Sequence, residues 1–252
     1  VYPCACTRKE IADSALNGID GQIYPGTCRN GIPAGREGRS WRVRTDHPFL
    51  PPCRGGERSE GASRIGVEQW GNQASTLSPT LPLQGGGDAA SAEIIDAGII
   101  EFDDALQGRI TLHLENEIGD FVVLRADGLF AYQLAVVMDD AFQGITDVVR
   151  GADLIFSTPR QIYLQQILGL NTPAYMHLPV VVNAQGEKLS KQTLAKPVET
   201  VNAASTLFYA LVFLRQQPLD ELRLNTVEEI LTWAIANWQP DSLLNCRQLT
   251  IE

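Results

Sequence analysis

The sequence predicts an α/β domain with a helical end, and three observations support this prediction. Strand-like segments are interspersed with helical ones beyond residue 109, and from residue 201 onward the apolar residues follow a helical repeat. The 252 residues are 44% hydrophobic, which is enough for a sizeable core. Because no apolar run reaches about 18 residues and the first residues do not resemble a signal peptide, we expect a cytoplasmic globular protein.

Cysteines and one tyrosine mark the first segment. Cys4-x-Cys6 is followed by Tyr24-x-x-x-Cys28, a spacing that lets one small knuckle bring three thiols and a phenol together. Since five cysteines are an odd number for disulfides and thiolates bind Zn²⁺ tetrahedrally, one interpretation is a structural zinc site in a reducing compartment. Three ordinary cysteines are about equally compatible with a lone C-x-C pattern. The candidates for a fourth ligand are Tyr24, His47 and Cys53.

A segment of different composition follows. Residues 47 to 92 are rich in Gly, Pro and Ser and contain few bulky apolar side chains. This composition is typical of a flexible insertion, so we assign residues 47–98 to an insertion within one domain. With the insertion removed, the alternating segments Trp41–Thr45 and Ile99–Phe102 are predicted to pair as neighbouring strands.

The pattern becomes regular from residue 109. Arg109–Leu114 and Phe121–Leu124 predict strands, and Ala126–Gly128 predicts a turn between elements. Tyr132–Val137 is largely apolar, and its pattern is compatible with either a strand or a buried helix. The neighbouring pair Asp139-Asp140 is interpreted as solvated charge, because no other candidate ligand stands beside it.

Three further helices are predicted. A hydroxyl cap and a proline in the first turn predict a helix that opens at Ser157–Arg160 and runs through about Leu168. Val201–Arg215 carries apolar residues on a helical repeat, and so does Thr226–Trp238. The last of these opens with a threonine followed three positions later by glutamate, the pattern of a capping box.

A lysine-rich pentapeptide follows the apolar run Leu178–Val182 and the turn-forming stretch Asn183–Glu187. It consists of Lys188, Leu189, Ser190, Lys191 and Gln192. Two lysines three residues apart on a loop are suited to gripping the phosphates of ATP. When the pentapeptide is considered alone, the more common interpretation of two such lysines is that they lie at the solvated end of a hairpin. The net charge of −10 argues against a protein that coats nucleic acid nonspecifically.

Together these motifs resemble the glutamyl-Q tRNA(Asp) synthetases. These are class I enzymes, paralogous to the catalytic domain of glutamyl-tRNA synthetase, and they lack its anticodon-binding domain. Besides the cysteine pattern and the Lys-Leu-Ser-Lys-Gln loop, the resemblance rests on the segments Leu124–Val137, Val149–Asp153 and Ser157–Gln161. It covers residues 1–46 and about 98–245.

The resemblance implies the C-terminal part of a class I Rossmann-like catalytic domain. Residues 1–46 would form its zinc knuckle, residues 99–200 the second half of the catalytic domain, and residues 201–252 a helical C-terminal region. The implied reaction is the ATP-dependent activation of L-glutamate, with Mg²⁺, followed by transfer of glutamate to queuosine in the anticodon of tRNA-Asp. The implied protein is a monomer that binds no membrane.

The resemblance also implies roles for single residues. It assigns catalysis to Lys191 and Lys188 in the ATP signature loop, and glutamate binding to Tyr132 and Arg150. An arginine fork suits a carboxylate, and a tyrosine hydroxyl can orient either end of the amino acid. It assigns Zn²⁺ to Cys4, Cys6, Tyr24 and Cys28, which selects Tyr24 as the fourth ligand. Without the resemblance, we would expect Arg150 to form a surface salt bridge and Tyr132 to be an aromatic residue of the core.

The chain also departs from this family. It begins where the family's knuckle begins, so we expect the first half of the nucleotide-binding fold to be absent and the chain to be an incomplete, inactive fragment. One alternative is a zinc-knuckle module that binds tRNA without catalysis. The other is an ordinary glutamyl-tRNA synthetase, which would attach glutamate to the 3′-terminal adenosine.

Overall fold

The computed structural model describes residues 1–14, 16–19, 21–46, 98–190, 198 and 200–251. Two candidate zinc ligands, His47 and Cys53, lie outside the described residues, as do Lys191 and Gln192 of the signature loop and nearly all of the expected insertion. In the described part of the chain, no helix is both long enough and apolar enough to span a membrane.

The described residues form strands in both halves of the chain and five α-helices. The strands are β1 Tyr2–Cys4, β2 Asn17–Gly18, β3 Gly21–Gln22, β4 Ser40–Val43, β5 Ile99–Asp104, β6 Gly108–His113, β7 Phe121–Leu124, β8 Asp147–Gly151, β9 Ala174–Leu178, β10 Val180–Val182 and β11 Gln248–Thr250. The α-helices are α1 Arg8–Ala12, α2 Tyr132–Gln143, α3 Thr158–Leu168, α4 Ala203–Phe213 and α5 Val227–Asn237. A single π-helical turn, Leu114–Ile118, connects β6 towards β7.

The largest sheet has four strands in the order β6-β5-β9-β8. β5 pairs antiparallel with β6 and parallel with β9, and β8 also pairs parallel with β9. The β8–β9 register sets Arg150 opposite His177. Smaller sheets are formed by β1-β4-β7, by β2-β3 and by β10-β11. Mixed sheets with intervening helices confirm the α/β prediction.

The expected pairing of Trp41–Thr45 with Ile99–Phe102 is wrong. β4 pairs with β1 on one side and β7 on the other, whereas β5 pairs with β6 and β9. A tight turn closes the β5–β6 hairpin, where Gly108 has a φ of 71°, a left-handed conformation that costs glycine little. Because β4 and β5 each have a partner strand on both sides, neither has a free edge at which it could pair with the other.

The segment Tyr132–Val137 is helical, which selects one of the two predicted alternatives. α2 extends beyond it to Gln143 and ends at Gly144, whose left-handed backbone caps the helix. Val137 is the one residue of α2 that is fully buried, so the helix lies on the surface of the core and is not enclosed by it.

The helix predicted from Ser157 is present as α3 and ends at Leu168 as expected. Its predicted hydroxyl cap is wrong, because Ser157 has a helical backbone and its side chain makes no capping hydrogen bond. The hydroxyl of the next residue, Thr158, is instead bonded to Arg150. Proline in the first turn is present as predicted.

Of the four apolar clusters among the described residues, two organise the larger sheets and the C-terminal helices. The first joins the two larger sheets to α2 and α3, and its buried members are Val43, Ile100, Leu114, Ile118, Phe121, Val123, Val137, Ile162, Tyr163, Leu164 and Tyr175. The second lies between α4 and α5 and centres on Phe208, Leu211, Leu222 and Ile230. The capping box predicted at the start of α5 is formed by Thr226 and Glu229.

Candidate active site and metal centre

The predicted zinc ligands come together at one point of the structure. Cys4 ends β1, Cys6 precedes α1, and Tyr24 and Cys28 lie on the loop after β3. The three sulfur atoms lie within 4.8 Å of one another. The Tyr24 hydroxyl is 3.5 Å from the Cys4 sulfur and 3.6 Å from that of Cys6, and the sulfurs of Cys6 and Cys28 are 3.7 Å apart.

These separations fit a tetrahedral zinc ion. With Zn–S bonds of about 2.3 Å and a Zn–O bond of about 2.0 Å, two sulfur ligands stand about 3.8 Å apart, and a sulfur and an oxygen about 3.5 Å apart. The S···S distance of 3.7 Å between Cys6 and Cys28 and the S···O distances of 3.5 and 3.6 Å from Tyr24 agree with these values. The three thiols and the phenol of Tyr24 are therefore a donor set whose chemistry and closest separations suit Zn²⁺.

Nearby groups act on the charge of this cluster. The guanidinium of Arg42 lies 4.1 Å from the ring centroid of Tyr24, and its Nε donates to the Cys4 sulfur at 3.4 Å. Burial alone raises the pKa of Cys4, but hydrogen bonds involving Tyr24, the Cys6 backbone and Arg42 outweigh it, so the net pKa is lowered. Burial raises the pKa of Cys6 to about 11 and that of Tyr24 well above its ordinary value. A metal cation would offset the remaining cost of deprotonation.

A buried carboxylate ties this knuckle to the rest of the domain. Asp120, just before β7, accepts from the Tyr2 hydroxyl at 2.5 Å and from Arg29 Nε and Nη2 at 2.6 and 2.8 Å. It also accepts from the backbone N–H of Thr45 at 3.0 Å. Burial raises the pKa of Asp120, but these bonds outweigh it and hold the pKa below its ordinary value.

The two residues predicted to bind glutamate also lie together. Arg150 is on β8 and half-buried; its Nε donates to His177 Nε2 at 3.1 Å, and its Nη2 donates to Thr158 Oγ1 and Gln161 Oε1, each at 2.8 Å. Tyr132 begins α2, and its side chain lies near enough to Arg150 for the two groups to interact electrostatically. The structure therefore brings the predicted pair close together, and we call Arg150 with the residues around it the Arg150 pocket.

Both residue-by-residue expectations made without the family resemblance are wrong. Within the described parts of the chain, no carboxylate lies within the 4.0 Å ion-pair distance of Arg150, so it forms no surface salt bridge there. Tyr132 is 55% exposed and is not a core aromatic. Asp139 is exposed, and the half-buried Asp140 is close enough to Arg150 for their charges to interact.

Sequence reasoning missed the groups that hold Arg150. His177 and Asp104 form a fully buried pair, with Nδ1 and Oδ2 2.6 Å apart. Thr158 and Gln161, from the first turn of α3, supply the other two contacts. The signal in the sequence was a histidine at an inward position of the apolar strand Ala174–Leu178, whose alternate residues are buried.

The signature loop is described as far as Ser190. β10 turns at Asn183–Glu187, and a backbone bridge pairs Val182 with Lys188. The Lys188 ammonium forms an ion pair with Asp153, which follows β8. Lys191 and Gln192 lie outside the described residues, so their predicted ATP contacts remain a prediction.

Comparison with known proteins identifies the family. Residues 91–216, which are 126 of the 252, match the family of class I tRNA synthetases (E and Q), catalytic domain. The chain belongs to this family, whose members are ligase-type enzymes.

The relatives narrow this assignment. A glutamyl-Q tRNA(Asp) synthetase of Aromatoleum aromaticum is 46% identical over 238 residues, which cover 94% of this chain and 59% of that protein. The glutamyl-Q tRNA(Asp) synthetase of Chromobacterium violaceum is 46% identical over 237 residues, covering 94% and 62%. The resemblance to these synthetases predicted from the motifs is confirmed, and the chain spans about three-fifths of the length of both relatives.

Among solved structures, a glutamate tRNA ligase from Elizabethkingia meningosepticum matches with a TM-score of 0.46 and 20% identity. The match covers 61% of this chain and 34% of that protein.

Proposed function

We propose that this chain provides the glutamate-binding and signature-loop part of an enzyme that activates L-glutamate with ATP and transfers it to queuosine in tRNA-Asp. The observation that carries this proposal is Arg150, a half-buried guanidinium with no carboxylate partner among the described residues. Asp140 interacts with Arg150 only from beyond ion-pair distance, so the half-buried guanidinium can still pair directly with an anionic ligand. Relatives named glutamyl-Q tRNA(Asp) synthetase support glutamate as that ligand.

The geometry supports a carboxylate as the group that Arg150 binds. Its Nε and Nη2 are held by His177, Thr158 and Gln161, none of which is bonded to Nη1. We assign Nη1 to a carboxylate oxygen of glutamate, with the Tyr132 hydroxyl orienting the same substrate. Burial lowers the pKa of Arg150, and the neighbouring Tyr175, Tyr132 and Asp140 act in the opposite direction.

We assign the ATP phosphates, with Mg²⁺, to the signature loop. Lys191 would stabilise charge developing at the α-phosphate, and Lys188, Leu189, Ser190 and Gln192 would shape the loop around it. The ion pair of Lys188 with Asp153 supports a loop that is held next to the strand carrying Arg150. When ATP binds, we expect Lys188 to exchange this partner for phosphate.

We assign a structural Zn²⁺ to Cys4, Cys6, Tyr24 and Cys28. Three donor separations of this knuckle, in residues 1–46, are suited to a tetrahedral ion, which supports a site that ties the segment between the ligands into a compact unit. We assign catalysis to residues 99–200 and a helical C-terminal region to residues 201–252. We expect the protein to work as a cytoplasmic monomer.

The direct test is incorporation of labelled glutamate into tRNA-Asp with and without queuosine. It is run on this chain and, in parallel, on this chain joined to the part of the Aromatoleum relative that it does not span. Queuosine-dependent labelling supports the proposal. Labelling of the 3′-terminal adenosine in both tRNAs would indicate a glutamyl-tRNA synthetase, and salt-sensitive tRNA retention without labelling would indicate a binding module.

A matched pair of variants ties the result to the site. Arg150→Lys keeps the charge but loses the planar fork, so glutamate binding should weaken by roughly tenfold or more. Arg125→Lys changes an exposed arginine paired with Asp127 and should leave binding unchanged. Equal behaviour of the two variants would contradict the role of Arg150.

A further inference from the structure

We infer that Asp104 and His177 form a positioning pair that fixes the proton and side-chain arrangement around Arg150, an inference that rests on the proposed function of Arg150. The three residues lie on adjacent strands of one sheet, β5, β9 and β8. Arg150 and His177 stand opposite each other in the β8–β9 register, so the backbone itself brings guanidinium and imidazole together. The side chains of Asp104 and His177 are both fully buried.

The hydrogen-bond chain dictates where the imidazole proton lies. Arg150 Nε is always a donor, so His177 Nε2, 3.1 Å away, must accept. A neutral imidazole then carries its proton on Nδ1, which donates to Asp104 Oδ2 at 2.6 Å. Burial lowers the pKa of His177, which agrees with a neutral ring between a carboxylate and a guanidinium.

The orientation of Asp104 is also fixed. Its Oδ1 accepts from the backbone N–H groups of Leu106, Gln107 and His177 at 3.0, 2.9 and 3.2 Å. The carboxylate therefore cannot turn away from the ring without leaving three buried donors unpaired. The chain of contacts runs from backbone to Asp104, to His177, to Arg150, and each link determines the next.

The substitution Asp104→Asn should reverse the direction of hydrogen-bond donation between residue 104 and His177 while it preserves the shape of the side chain. In Asp104→Asn the three backbone N–H groups keep the amide oxygen, so the amide NH₂ faces His177 Nδ1. The imidazole proton must then move to Nε2, where it meets the Arg150 Nε–H. We expect glutamate binding to weaken by roughly tenfold to a hundredfold as Arg150 is displaced. Asp103→Asn, at the exposed neighbouring carboxylate, is the matched control.

Two substitutions at His177 separate positioning from mere support. An asparagine amide reaches about as far as Nδ1, so His177→Asn keeps the donor to Asp104 but loses the acceptor for Arg150. A glutamine amide reaches about as far as Nε2, so His177→Gln keeps the acceptor for Arg150 but loses the bond to Asp104. A positioning role predicts that Gln retains glutamate binding and Asn does not, whatever the change in thermal stability. A purely structural role predicts no such split.

The experiment combines ¹⁵N NMR of the imidazoles with calorimetric titration of L-glutamate, both on the full chain. With three histidines in the sequence, the His177 resonances can be assigned by substituting the other two. The inference expects a Nδ1–H tautomer in the wild type, a Nε2–H tautomer in Asp104→Asn, and loss of affinity in Asp104→Asn and His177→Asn.

Three outcomes would overturn it. A Nε2–H tautomer in the wild type breaks the proton assignment. Wild-type affinity in a folded Asp104→Asn or His177→Asn variant shows that the pair does not act on binding. A wild-type chain that shows the Nδ1–H tautomer but binds no glutamate contradicts the proposed function itself, and the positioning role with it.

Discussion

The cysteine cluster and the Arg150 pocket offset charge in opposite ways. In the cysteine cluster three of the donor separations are 3.5 to 3.7 Å, and burial raises the pKa of Cys6 to about 11 and that of Tyr24 well above its ordinary value, so the protein alone does not favour the anionic forms of these two residues. In the Arg150 pocket the polar atoms are joined by bonds of 2.6 to 3.1 Å. As a proposed zinc site, the first arrangement would need a cation to offset its charge, whereas the second is ordered by the chain before any ligand arrives.

The largest expected effect is loss of the metal. Chelation or Cys28→Ser should remove one zinc per chain and lower the free energy of unfolding by more than about 3 kcal/mol, because a structural zinc contributes directly to folding. The glutamate affinity per folded molecule should change much less, because the hydrogen bonds around Arg150 do not involve the cysteine cluster. Metal analysis and urea unfolding measure the effect. Cys246→Ser, a cysteine outside the cluster, is the control, and equal stability with and without chelator would contradict the prediction.

The next effect concerns Asp120, the link between the knuckle and the domain. Asp120→Asn removes the charge that neutralises Arg29 and should cost about 3 kcal/mol of unfolding free energy. Because the folded pKa of Asp120 is lowered, its contribution is present above the ordinary carboxyl pKa and is lost as the pH falls through the folded value. Unfolding followed from pH 7 to pH 3 should therefore be less acid-sensitive in the variant. The exposed Asp127→Asn should behave as wild type.

A smaller effect should appear at mildly acidic pH in the Arg150 pocket. The folded pKa of His177 is lowered by burial, so below its ordinary value of 6.5 the unfolded chain binds more protons than the folded chain. The contribution of His177 to the free energy of unfolding is then fully present above that pH. It falls as the pH drops, by up to about 1.4 kcal/mol per pH unit. Comparison of pH 7.5 with pH 5.5 tests this, and His177→Gln should flatten the slope. The substitution His113→Gln, at an exposed histidine, should leave the pH dependence of the free energy of unfolding unchanged. The same pH dependence in His177→Gln as in the wild type would refute the assignment to His177.

The smallest effect compares two identical caps, one in the knuckle and one outside it. Thr7 caps α1 and Thr226 caps α5, each in a complete capping box. Replacement of either threonine by alanine should cost about 1 kcal/mol. If the metal organises the knuckle, Thr7→Ala should also lower zinc affinity, whereas Thr226→Ala should not. Thermal unfolding and competitive zinc titration distinguish the two, and equal zinc affinity in both variants would show that α1 does not support the site.

The elements that the sequence predicted correctly share a local origin. The α5 cap needs a threonine and a glutamate three positions apart, and the turn at Ala126–Gly128 needs a glycine with positive φ. The cysteine cluster joins residues no more than 24 positions apart, so its spacing was informative before any fold was known. The failed Ser157 cap was also a local rule, but a tertiary contact overrode it: Arg150 takes the adjacent Thr158 hydroxyl, and the buried Ser157 has a helical backbone.

The sequence by itself therefore determined the class of domain, the candidate metal ligands and, through the family resemblance, the residues that we propose to bind glutamate. Only the tertiary structure decided which strands are neighbours and which groups hold Arg150. Alternation of apolar and polar residues says which face of a strand is buried, but it does not specify the partner strand, which is why β4 and β5 were wrongly paired. Asp104, Arg150 and His177 meet because the strand order β5-β9-β8 and its register place them side by side, a long-range condition that no local pattern encodes.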